Sequence, residues 1–171
     1  MMNAALRRLA IILITTLTCS APMADAESTA QELRRDGHAM VLPQALAFAS
    51  GSHNLLPESE PGLELIRAFL AKQPAITLLR IEGHVTDGAD EQARLALSLK
   101  RALSVALWLA ERGVECKRLI PVGFGSSKPR HPAGDARNER IEFVNAALRG
   151  RPIGGLPVDG GGMALEWDCG R

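Results

Sequence analysis

Between Asp87 and Gly113 apolar side chains recur at helical spacing, and this stretch restricts the possible folds more than any other. Leu95, Leu99, Ala102, Ala106 and Leu109 fall on one stripe, with Leu103 on its flank. Asp87 is placed to cap the start, and Asp90 and Glu91 put negative charge in the first turn, where the helix dipole favours it. Arg112 sits in the last turn, and Gly113-Val114 has the form of a left-handed cap with its hydrophobic contact. A long helix with one apolar face requires a second layer to bury that face.

Short strand-like runs supply the layer. Ile76 to Ile81 is apolar and β-branched and stops at Gly83; Leu119 to Phe124 is a second run, with Pro121 pointing to an edge or irregular position. Ile141 to Val144 is a third. Upstream, Met40-Val41-Leu42 and Ala45 to Phe48 are separated by Pro43, which predicts an edge or bulged strand, and Ser50 to Asn54 is turn chemistry. Ser59 is placed to cap another helix, in which Leu63, Ile66 and Leu70 recur until Pro74 ends it. The alternation predicts an α/β sandwich of the α+β kind: a mixed sheet in βαβαββ order with both helices packed on one face. There is no internal repeat. The boundaries read as a linker at 27–39, a domain at 40–148 and a Gly/Pro-rich tail at 149–171, with residues 125–135 forming a loop.

The first 26 residues have a different character. Arg7 and Arg8 precede the uncharged run Leu9 to Thr18, which is short for a bilayer span, and Ala24-Asp25-Ala26 has the small-x-small form that signal peptidase accepts. Residues 1–26 therefore read as an export signal cut before Glu27. Thr16-Leu17-Thr18 ahead of Cys19 is a poor lipoprotein box, so lipidation at Cys19 carries less weight. Cleavage leaves Cys116 and Cys169, and an oxidising compartment favours one disulfide between them over two separate thiols.

Charge excludes several functions. The chain carries 20 Lys and Arg against 19 Asp and Glu, and it lacks Tyr. Neither the bulk charge nor the aromatic content suits nucleic acid. Four His occur without His-x-x-x-His or Cys-x-x-Cys spacing, and Ser98 is not in a Gly-x-Ser-x-Gly elbow. Local spacing thus indicates neither metal, cofactor nor hydrolase. The polar stretch Ile81 to Asp87, followed by the helix bearing Arg101, points instead to binding. Backbone N–H groups at a helix start favour anions, and an arginine on that helix can take a carboxylate with a bidentate fork. An amino-acid zwitterion suits such a place, its ammonium meeting a nearby Asp.

The motifs Gly83-His84, Leu97-Ser98-x-x-Arg101-Ala102, Gly113-Val114, Arg118-Leu119, Gly123-Phe124-Gly125, Pro129 and Asn138-x-Arg140-Ile141-Glu142 occur in the order of a known domain. Phe48 to Ser52, running on to Pro57, resembles its opening strand and loop. Together they resemble the peptidoglycan-associating C-terminal domain of the OmpA family, found also in Pal and in flagellar stator proteins. The resemblance implies a non-catalytic envelope protein that binds peptidoglycan through the diaminopimelate of the stem peptide. It implies Arg101 as the carboxylate anchor, with Asp87 and Thr86 as contenders for the ammonium and Asn138 and Arg140 as supports. An ungapped match puts Thr86 on the family Asp, Arg94 on a family Asn, and Glu139 on the first Arg of an Asn-Arg-Arg element. His84 and Arg94 complete the candidate set. The alternative is the same fold with a decayed ligand site, serving as a protein–protein interaction module in the envelope.

Overall fold

The computed structural model describes residues 33–154, 161–165 and 167. The export segment, Cys19 and Cys169 lie outside the described residues. The elements in chain order are β1 (Arg34–Asp36), β2 (Ala39–Val41), α1 (Glu60–Lys72), β3 (Ile76–His84), α2 (Glu91–Glu111), β4 (Leu119–Gly123), β5 (Arg140–Leu148), β6 (Arg151–Pro152) and β7 (Met163–Ala164). The sheet runs β1-β2-β5-β3-β4-β7, with β6 paired to β5. Among the described strands only β3 and β4 are parallel, as a crossover through a helix requires. The fold is the expected mixed α+β sandwich. It has more strands than the sequence pattern showed.

Strand alternation creates two unlike faces. Leu79 and Ile81 of β3, Leu119 of β4 and Phe143 of β5 join Leu63, Ile66 and Leu70 of α1 and Ala102, Val105, Ala106 and Leu109 of α2 in one buried core. Arg80, Glu82 and His84 alternate with these on β3. The register sets Glu142 opposite Glu82 and Arg140 opposite His84, so the second face collects charge.

The buried line of α2 is Ser98, Arg101, Ala102, Val105, Ala106 and Leu109, rotated from the predicted stripe so that Leu95, Leu99 and Leu103 are only partly buried. Small residues face the sheet because the helix backbone lies almost against it. A Cβ on Gly83 would come within 2.1 Å of the Ser98 carbonyl oxygen, and one on Gly123 within 2.5 Å of the Leu99 nitrogen. Ser98 Oγ accepts from Gly125 N at 2.9 Å, which fastens the helix to the turn after β4.

Several local expectations need correction. The cap of α2 is Asp90, whose Oδ1 accepts from Ala93 N at 2.7 Å, and not Asp87. Ser59 occupies the cap position of α1 without capping it: its buried hydroxyl donates to Ala47 O and accepts from Ala47 N. Ala45 to Phe48 is not a strand, and Phe48 makes a single bridge to Leu55. The segment taken as linker contains β1, which turns into β2 at Gly37 with φ +58°. The Gly/Pro-rich tail supplies β6 and β7, and Trp167 packs on the core with its Nε1 donating to Leu119 O at 3.1 Å. Pro121 fits because β7 pairs only Val122 and Gly123, beyond it. Arg118 closes the far end of α1 by donating to the carbonyls of Leu70, Gln73 and Ile76.

Gly83→Ala should test the close approach of α2. Forcing a methyl group against backbone costs about 1–3 kcal/mol or more, and the urea-unfolding midpoint should fall accordingly. An unchanged midpoint would show that the helix yields freely.

Candidate functional site

Arg101 projects from the middle of α2 and is largely buried, 8% exposed. Its Nε donates to Ser52 O at 2.9 Å, its Nη1 to Glu139 Oε2 at 3.1 Å, and the guanidinium lies 5.1 Å over the Phe48 ring. Among the described residues Nη2 has no hydrogen-bond partner. A cavity of about 120 Å³ lies beside it, lined by Leu46, Phe48, Arg101, Glu139 and Arg140. The loop that carries Ser52 and Phe48 is held in place through Ser59, so α1 indirectly positions the guanidinium.

Glu139 is the centre of this arrangement. While Oε2 meets Arg101, Oε1 accepts from the Asp87 backbone N–H at 3.1 Å and lies 3.5 Å from Thr86 Oγ1. One carboxylate thus ties α2 to the loop that follows β3. Thr86 and Asp87 are brought to the site, but Asp87 through its backbone. Arg94 is in the first turn of α2, donating to Glu91 Oε2 and, back toward that loop, to Gly88 O. With Thr86 and Asn138 it lines a second cavity of about 360 Å³.

Asn138 is fully buried and holds the 130–132 turn. Its Oδ1 accepts from the backbone N–H groups of Arg130 and His131, and its Nδ2 donates to the carbonyls of His131 and Pro132. Asp135 accepts from Arg137 N and so caps the 3-10 turn that delivers Asn138 and Glu139. Arg140 donates to Asn138 O, Lys128 O and Glu142 Oε1, which joins the loop to β5.

His84 is not with Arg101. Its ring is on the other face of the sheet, buried and stacked on Phe124 with centroids 5.6 Å apart. Burial, reinforced by Arg140, Lys128 and Arg130, holds its pKa down at about 3. Glu82 and Glu142 are 3.8 and 3.7 Å from Nε2, beyond hydrogen-bond reach.

Sequence reasoning did not assign Glu139, Phe48 or Ser52 to the site. For Glu139 a signal existed: an acid stands where the related pattern has a base. Ser52 contributes only a carbonyl, which no side-chain pattern can reveal.

Residues 47–142 match the family described as the OmpA family. The chain belongs to the OmpA family. Members of this family are binding or structural domains without catalysis. This OmpA-family chain is 32% identical to the outer-membrane lipoprotein YfiB of Pseudomonas aeruginosa, over 66% of this chain and 69% of that protein. It is 31% identical to the peptidoglycan-binding protein ArfA of Mycobacterium tuberculosis, over 58% of this chain and 31% of that one. Among solved structures, an outer membrane protein of Borrelia burgdorferi superposes with a TM-score of 0.53 at 25% identity, covering 67% of this chain and 95% of that one.

The depressed His84 pKa has a stability consequence. Between the ordinary histidine value of 6.5 and about 3, the unfolded chain binds a proton on this imidazole that the folded chain does not. Stability is therefore lost as pH falls through that window. The groups facing the ring are Glu82 on its own strand, Glu142 and Arg140 on β5, and Lys128 and Arg130 on the loop. Urea unfolding from about pH 7 to about pH 4 should show falling midpoints, and His84→Gln should flatten that slope. An equal slope in the variant would assign the acid sensitivity to other groups.

Proposed function

We propose that this chain is a non-catalytic envelope module that binds peptidoglycan, taking diaminopimelate of the stem peptide at Arg101. The observation that carries the reading is the buried guanidinium of Arg101, held from two sides, with Nη2 uncommitted and a small cavity beside it. Such a donor is rigid, and little side-chain entropy remains to be lost when a carboxylate arrives. The relative ArfA, by name a peptidoglycan-binding protein, supports peptidoglycan as the partner. Glu139 supplies the negative charge for the ligand ammonium, in place of Asp87 or Thr86. Its carboxylate is the acid within reach of Arg101, and its side chain remains 30% exposed.

The same Arg101–Glu139 contact favours a second reading. A carboxylate already on the guanidinium resembles a site filled by its own chain, as a protein-interaction module with a decayed site would have. Co-sedimentation with purified peptidoglycan separates the two. Wild type should pellet, and Arg101→Ala should lose on the order of tenfold or more in affinity, the usual effect of removing a charge-assisted bond. Wild type remaining in the supernatant favours the interaction module.

We also propose that the chain is exported and lipidated at Cys19, and that Cys116 pairs with Cys169. The relative YfiB is by name an outer-membrane lipoprotein, which reverses the lower weight given to Cys19 from its box. Among the described residues no helix is long and apolar enough to cross a membrane, so a lipid would supply the attachment. For the disulfide, the support is the Trp167–Leu119 bond, which brings the tail two residues before Cys169 to the strand that starts just after Cys116. The intact mass of the mature protein tests both. It should correspond to a chain starting at a lipidated Cys19 and two hydrogens lighter than its reduced form; a chain starting at Glu27 would sink the lipid.

A further inference from the structure

On the face of the sheet away from the helices, we propose that Glu82, His84 and Glu142 form a binding site for a divalent transition-metal ion, with Zn²⁺ the best fit. Neither the Arg101 site nor any local sequence motif includes this trio. Its members come from two strands, and only the antiparallel register of β3 and β5 unites them.

The geometry is the first argument. His84 Nε2 is 3.8 Å from Glu82 Oε2 and 3.7 Å from Glu142 Oε1, and one donor atom from each residue lies within 4.8 Å of the other two. These separations are too long for hydrogen bonds, yet they suit the edges of a ligand triangle around an ion at about 2.0–2.2 Å from each donor, after a small inward shift. The second argument is independent of the carboxylates. His84 is 2% exposed, and among the described residues neither Nδ1 nor Nε2 has a hydrogen-bond partner. A buried imidazole without a partner is an unmet requirement, and Nε2 lies between two carboxylates.

The surroundings define which ion. Arg80 Nε holds Glu82 Oε1 at 2.5 Å, which leaves Oε2 toward the ring, while Glu142 is held at both oxygens, Oε2 by Arg130 Nη2 at 2.7 Å and Oε1, the atom nearest the ring, by Arg140 Nε at 2.5 Å. Hydrogen-bonded carboxylates of this kind are the usual outer support of metal ligands. Arg140, Arg130 and Lys128 also place positive charge nearby, which opposes any cation. A hard, reluctantly dehydrating ion such as Mg²⁺ is therefore disfavoured, and an ion that bonds strongly to imidazole is selected. A cavity of about 380 Å³ opens onto all three ligands and has room for the waters that would complete the coordination.

Equilibrium dialysis of the full mature chain against Zn²⁺ tests the assignment. One equivalent should be retained by wild type and by Arg101→Ala, while His84→Ala and Glu142→Gln should each weaken retention by tenfold or more. Glu142→Gln keeps the side chain's size and one oxygen to accept from Arg130 or Arg140, so it serves if His84→Ala fails to fold. In wild type, Co²⁺ should broaden the amide signals of residues 80–84 and 140–144. Failure of wild type to retain stoichiometric Zn²⁺, undiminished retention in Glu142→Gln, or broadening confined to His53 or His131 would each overturn the site. Because Arg101→Ala is included, loss of peptidoglycan binding and loss of metal binding are read separately.

Discussion

Everything in this fold is arranged around the near-contact between α2 and the sheet at Gly83 and Gly123. At both positions a methyl group would collide with helix backbone. That approach explains why the buried line of α2 carries the small residues Ser98, Ala102 and Ala106, with Leu109 joining it only toward the far end of the helix. It also determines where Arg101 stands. Three residues beyond Ser98, less than one turn of helix, the guanidinium emerges where the sheet ends and the loops begin. An alanine in either glycine position would displace the helix, and the arginine would move with it.

From there the site is a matter of one carboxylate. Glu139 connects the helix, the loop after β3 and the start of β5, and it is delivered by a turn that Asp135 caps and Asn138 holds. The acid that faces Arg101 therefore stands on the turn just ahead of β5, not on the loop after β3.

The class of fold was legible because long-period signals carry it. The α1 pattern Leu63, Ile66, Leu70 is the buried face of that helix, and the β3 and β4 runs are strands. Features that depend on a close approach or on a partner strand were not legible. The two-residue strands β6 and β7 are too short to produce a periodic signal, and the offset of the α2 stripe follows from glycines on another element. Asp87 looked like the cap because it precedes the helix, but Gly88 and Ala89 extend the loop and leave that role to Asp90. At the site, Arg101 and Asn138 were singled out by the resemblance to the family motifs, and the structure shows both buried. The importance of Glu139 depends on a contact spanning 38 residues, which no local window contains.

The two flanks of the sheet have a consequence for life in a crowded envelope. One flank is β1, three exposed residues, Arg34, Arg35 and Asp36, and the other is β7, only two residues long. Unpaired strand borders invite other chains to add on, and proteins discourage this with brevity and charge. Here the first border is guarded by guanidinium groups, and the second is covered by a scrap of tail. The β4 backbone it pairs, at Val122 and Gly123, would otherwise be open to another strand, so Met163 and Ala164 close that border as well as completing the sheet.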